Sequence, residues 1–128
     1  MRNPSDLRAF VQADALMLEV YQLTASFPSE ERYGLTNQLR RAAMSVPSNL
    51  AEGCSRESQA DFRRFVEIAL GSAMELRYQL TAARRLGFCP GEAALATEAR
   101  AGDLVKMLSG LGKTLRAETG DRKPDTEQ

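Results

Sequence analysis

The side chains able to do chemistry in this chain are arginines, carboxylates, hydroxyls and two thiols; there is no histidine. Without imidazole there is no Ser–His or Cys–His nucleophile pair, no His general base and no His-ligated metal. Ser45, Ser48 and Ser72 therefore have no base to activate them. Glu52, Glu67 and Glu75 remain as the acids an enzyme acting on nucleotides would use. An all-carboxylate magnesium site would space its acids closely, as in E-x-x-E on one helix. Glu67 and Glu75 have no acid between them, and Glu52 and Glu57 straddle an expected helix end. The glycines form neither G-x-G-x-x-G nor a Walker loop. Cys54 and Cys89 are too few for a disulfide framework or a four-cysteine zinc site, and read as free thiols of a reducing compartment. The expectation is a protein that is not an enzyme, with no catalytic residue, metal or cofactor.

Arginine is the unusual feature. Fourteen Arg stand against three Lys, and the whole chain sums to zero net charge with 17 basic and 17 acidic residues. Arg meets carboxylate or phosphate with a two-pronged fork, where Lys acts as a point charge. Nine arginines between Arg32 and Arg85 face only five acids, leaving that stretch at +4. The doublets Arg40–Arg41, Arg63–Arg64 and Arg84–Arg85, together with Arg77 and aided by Arg56, are the candidate phosphate contacts. The competing reading is a solvated face laced with ion pairs.

These residues need elements to carry them. A chain of 128 residues, 43% apolar, suits one domain. Ala, Leu, Arg, Glu and Gln dominate, and no segment alternates with period two, so the fold class is all-α. The spacing predicts a first helix over Asp6–Ser26, with Leu7, Val11, Leu18, Tyr21 and Ala25 on its core face. Pro28 ends it, and Ser29 caps a second helix that carries Glu30 and Glu31 in its first turn. That helix runs on to about Gly53, kinked at Pro47 because the apolar period continues from Val46 to Leu50. Ser58 and Asp61 cap a third helix from Gln59 to Leu86, which Gly87 stops. Phe65, Ile68, Ala69, Ser72, Leu76, Leu80 and Ala83 form its core face. Pro90 opens a fourth helix with Leu95, Ala99, Gly102, Val105, Leu108 and Leu115 for burial. Gly71 and Gly102 are expected to permit close helix contact. Short connections favour an antiparallel up-down four-helix bundle over residues 1–117, followed by a disordered polar tail over 118–128.

Opposite the core stripe of the third helix lie Leu70, Met74 and Tyr78, flanked by Arg63, Arg77 and Arg85. Met, Tyr and Arg are residues that interfaces prefer, so this stripe is a candidate oligomer interface. Asn49 and Glu52, just past Pro47, read as structural: a kink frees a carbonyl that a nearby amide can satisfy. Gly53 completes that motif.

The stretch FPSEERYGLTNQLRRAAMSVPSNLAEGCSR (27–56), followed by FRRFVEIALGSAMELRYQL (62–80), resembles the four-helix-bundle family of 23S rRNA-intervening sequence proteins. The resemblance is carried by Phe27, Pro28, Glu31, Leu35, Gln38, Arg40, Arg41, Ser45, Pro47, Asn49, Glu52 and Gly53. It resumes at Phe65, Ile68, Ala69, Gly71, Ser72, Glu75 and Leu76. The accessory variability determinant of diversity-generating retroelements is related. The resemblance implies a small cytoplasmic bundle assembled as a homopentamer. For the retroelement relatives it also implies association with a reverse transcriptase and nucleic-acid binding through a basic surface.

The expected function is therefore binding of RNA, DNA or a ribonucleoprotein through the Arg-rich surface of an oligomeric bundle. The alternative is a self-assembling adaptor for another protein, with no nucleic-acid role. No apolar run approaches the ~20 residues of a membrane span, and MRNPSDLRAF lacks the apolar core of a signal peptide.

Overall fold

The computed structural model describes residues 2–120. Four helices follow one another: α1 (Arg8–Thr24), α2 (Leu35–Cys54), α3 (Gln59–Arg85) and α4 (Gly91–Glu118), with 3-10 turns at Pro4–Asp6 and Ser29–Glu31. Among the described residues there is no strand. The proposed tail over 118–128 falls mostly on 121–128, outside the described residues; Glu118 itself closes α4.

Cross-helix bonds show the antiparallel order. Arg40 on α2 donates to the Thr24 hydroxyl at 2.8 Å, whereas the other end of α2 meets the N-terminal segment, where the Arg2 amide donates to the Cys54 carbonyl at 3.0 Å. Arg84 pairs with Glu98 and Arg116 with Glu67, fixing α3 against α4. Glu19 accepts from Thr97 at 2.7 Å and Arg100 at 2.6 Å, closing α1 onto α4. The backbones of α1 and α3 come nowhere within 8 Å of each other, Cα to Cα, nor do those of α2 and α4, so each pair is diagonal.

The core is aliphatic, as 6% aromatic content requires: Leu39, Leu50, Leu76, Leu80, Leu104 and Leu108 are fully buried at its centre. Phe27 and Phe88 plug one end with ring centroids 5.8 Å apart. At the other end Arg2 lies over the Phe62 ring, 4.0 Å from its centroid.

The helix ends follow their capping residues with one exception. Ser58 accepts from the Asp61 amide at 3.0 Å. Gly87 takes φ +77°, the left-handed stop that a side chain would strain. Ser29, however, opens only a 3-10 turn, and α2 begins at Leu35. Glu31 does the capping, its carboxylate accepting from the Leu35 amide at 3.0 Å. Pro47 sits inside an unbroken α2 and is buried.

Three helix faces differ from the periodicity. α1 buries Ala9, Ala13, Leu16 and Val20, while Val11 (48% exposed) and Leu18 (55%) point outward. Two apolar stripes compete on this helix. The one rich in alanine is the buried one. On α3 the core takes Phe62, Val66 and Ala73, and Ile68 is exposed. On α4 Ala94, Thr97, Ala101 and Leu104 are buried, leaving Leu95 and Ala99 outside. The expected glycine contacts also move. Nothing lies within 4 Å of where a Gly71 Cβ would be, and Gly102 meets only the Arg77 stem at 3.8 Å. The tight glycine is Gly53, whose added Cβ would sit 2.8 Å from Phe65 Cβ and 3.2 Å from Phe62.

Candidate nucleic-acid interface

The eight arginines singled out from the sequence divide into two groups. Five are held by acceptors within the chain. Arg40 bonds Thr24 and stacks over Tyr21, 4.7 Å from the ring centroid. Arg56 pairs with Glu52 at 2.6 Å and lies over Phe65. Arg63 bonds Thr119 at 3.2 Å and approaches Glu67 at 3.9 Å. Arg64 approaches Asp61 at 3.5 Å and also lies over the Phe65 ring, 4.4 Å from its centroid. Arg84 engages both carboxylate oxygens of Glu98. That bonding holds the Glu98 carboxyl below its ordinary pKa against a smaller opposing effect of burial. Burial raises the Glu19 carboxyl, but its bonds from Arg100 and Thr97 outweigh this and leave it lowered.

Arg41, Arg77 and Arg85 form the second group. They are exposed and have no ion pair among the described residues. Arg77 lies on α3 against α4, its stem 3.8 Å from where a Gly102 Cβ would sit, and Arg85 ends α3. There they join two lysines that the sequence reading passed over. Lys113 lines the α3–α4 groove with Glu67, Leu70 and Arg116. Lys106 is exposed seven residues earlier on the same face of α4. Neither lysine has a carboxylate partner among the described residues. The acids of this seam, Glu67 and Glu98, are already occupied by Arg116 and Arg84. Four cations along α3 and α4, Arg77, Arg85, Lys106 and Lys113, keep no ion pair among the described residues, and neither do the exposed acids Glu92 and Asp103 of α4. The i, i+7 spacing of the lysines was the signal that could have found them.

Beside these cations stand Met74, 50% exposed, and Tyr78, 68% exposed. Leu70 does not share their position. It is partly buried and packs on the core, because its place on the wheel leans toward α4. The outward stripe is thus Met74 and Tyr78, with exposed Ile68 and open Gly71 on the adjoining surface.

The motif after Pro47 is structural in its geometry. Asn49 Nδ2 donates to the Ser45 carbonyl at 2.8 Å and to Ser45 Oγ at 3.0 Å. The carbonyl left without its usual donor by Pro47 is that of Ala43, so Asn49 serves the next turn rather than the gap itself. Ser45 Oγ and Ser72 Oγ share a hydrogen bond of 2.8 Å across α2 and α3. Glu52, Glu67 and Glu75 do not converge: the first pairs with Arg56, the second with Arg116, and the third lines the α2–α3 seam. Among the described residues no three His, Cys, Asp or Glu side chains are grouped to hold a metal. Cys54 and Cys89 are both free, and burial raises both thiol pKa values. Among the described residues no helix is long and apolar enough to cross a membrane.

Comparison with known proteins follows the fold. The family model described as 23S rRNA-intervening sequence protein matches residues 5–110. A solved structure from Bacteroides thetaiotaomicron VPI-5482, described as a protein with unknown function from the S23 ribosomal protein family, is similar, with a TM-score of 0.73. It is 20% identical, and the match covers 82% of this chain and 98% of that one. Comparison with curated proteins finds no match.

Proposed function

This chain belongs to the family of 23S rRNA-intervening sequence proteins, and we propose that it works without catalysis, as a self-assembling bundle that holds nucleic acid along the α3–α4 seam. The observation that carries this reading is a set of four cations on α3 and α4 left without an ion pair among the described residues. Arg77, Arg85, Lys106 and Lys113 have no carboxylate partner there, and Tyr78 stands exposed between two of them in sequence. An exposed ring among cations is the arrangement on which unpaired bases stack while phosphates are neutralised. The phosphate-contacting set is therefore smaller than the arginine doublets suggested, because Arg40, Arg56, Arg63, Arg64 and Arg84 already serve the fold.

Four cations on one copy make a weak site. Repetition around a homopentamer would multiply it through effective concentration. Binding should weaken steeply with salt, each neutralised phosphate adding to the slope. The test is a salt titration of a short structured RNA and a DNA duplex against the chain and a triple Arg77→Glu, Lys106→Glu, Lys113→Glu variant. A tenfold or greater loss at low salt, with an unchanged circular dichroism spectrum, is expected. Equal affinity in chain and variant would remove this seam from the interface.

A second reading, the protein adaptor, is favoured by a different observation. Val11 and Leu18 on α1, and Met74 and Tyr78 on the diagonal helix α3, leave two apolar faces uncovered. A ring built by head-to-tail contact needs two different faces on every copy. An oligomer indifferent to RNA and DNA would favour this reading, with a reverse transcriptase or another protein as the partner to seek.

A further inference from the structure

On the other flank of α3, a polar cleft of about 350 Å³ opens between α2 and α3. Its walls include Arg41, Ser45, Ser72, Glu75 and Gln79. Three of its polar groups have no partner among the described residues. Arg41 and Glu75 carry opposite charges in one cleft, yet no ion pair within 4.0 Å joins them. Gln79 is only 8% exposed, and its Oε1 has no hydrogen-bond donor. A buried amide oxygen without a donor is costly, and Gln79 stands between the hydrocarbon of Leu76, Leu80 and Ala83 and the polar Ser72 and Glu75 of the cleft. The hydroxyl end of the cleft, by contrast, is satisfied: Ser45 and Ser72 bond each other, and Asn49 bonds Ser45.

The open groups define what would fill the space. Arg41 offers a planar fork of donors, Glu75 a carboxylate and Gln79 a neutral amide oxygen. A phosphate would meet repulsion from Glu75, and a bare cation repulsion from Arg41. A flat neutral group with adjacent N–H donors on one edge and acceptors on another satisfies all three. Guanine has this pattern. Its N1–H and N2–H₂ donate side by side to a carboxylate, with an N–H left for an amide oxygen, while O6 and N7 accept an arginine fork. Adenine and cytosine each place an acceptor beside the amino group, so a carboxylate meets one donor and one repulsive lone pair.

We propose that the α2–α3 cleft is a binding site for a guanine base, presented by a free nucleotide or by single-stranded RNA. The site uses none of the α3–α4 cations, so its fate is separate from theirs. Calorimetric titration of the full chain with GMP, AMP, a guanine-bearing single-stranded RNA and an RNA of uridines alone tests it. At least tenfold tighter binding of GMP than AMP assigns the free nucleotide. The same preference seen only between the two RNAs assigns the base within a strand. Glu75→Gln, which turns one acceptor into a donor, should erase the preference. Gln79→Leu should weaken guanine binding with a melting temperature unchanged or raised, which a merely structural glutamine would not do. Equal affinities for guanine and non-guanine ligands, no binding by a natively folded chain, or a preference that survives both substitutions would each overturn the proposal. Salt-sensitive binding of the uridine RNA without guanine preference would overturn the cleft and leave the α3–α4 seam standing.

Discussion

Gly53 is the helical glycine with the least room. A methyl group there would press on the Phe65 Cβ, which cannot swing aside as a flexible chain end can. Gly53→Ala is expected to destabilise the fold by roughly 1–3 kcal/mol, despite alanine's better helix propensity. Urea unfolding checks this, and a neutral or stabilising result would mean that α2 and α3 can separate freely. Glu98 gives a second residue-level expectation. Its bond to Arg84 lowers its folded pKa, so it contributes stability above its unfolded value and loses it as pH falls through the folded one. Stability should therefore decline on acidification below about pH 4. Glu98→Gln should flatten part of that decline between neutral and acid unfolding curves. Gly53 was legible in the sequence only as a motif letter. Its steric reason depends on two phenylalanines from the next helix.

Among the elements, α1 separates hydrophobicity from burial. Val11 and Leu18 are larger than the Ala9 and Ala13 that face inward, so a wheel weighted by apolar bulk points the wrong way. Leu16→Ala is expected to cost about 2–5 kcal/mol, whereas Leu18→Ala should stay within roughly 0.5 kcal/mol. Thermal unfolding of the two variants side by side decides it, and equal losses would restore the other face. Helix boundaries were more legible, because the Ser58 hydroxyl and the Gly87 backbone act within a few residues of their own positions. The start of α2 was not. Glu31 caps it from a 3-10 turn, and that turn depends on how the chain leaves α1.

At the scale of the molecule, two uncovered apolar faces on diagonal helices set the expectation for assembly. Met74→Glu on α3 and Leu18→Glu on α1 should each shift the oligomer to smaller species in light scattering coupled to size exclusion. Mixing the two variants should restore at most one contact per pair, since each retains one intact face. An unchanged mass for both would remove these faces from the assembly. Running the same measurement at low and high salt, with and without structured RNA, separates assembly from nucleic-acid uptake.

Helix number, helix type, the Ser58 and Gly87 caps and the family were readable from the sequence alone. Each depends on residues near one another along the chain: apolar period, proline and glycine stops, and the S-V-P-S-N-L-A-E-G run. The tertiary structure decided which face of α1 is buried and which arginines are already paired. It also placed Gln79 beside Arg41 and Glu75 in one cleft. Arg84 and Arg40 meet partners on other helices, Glu98 and Thr24, and such pairing leaves no mark on an arginine's local sequence. Arg56, Arg63 and Arg64 meet acids three or four residues away, a spacing the sequence already held.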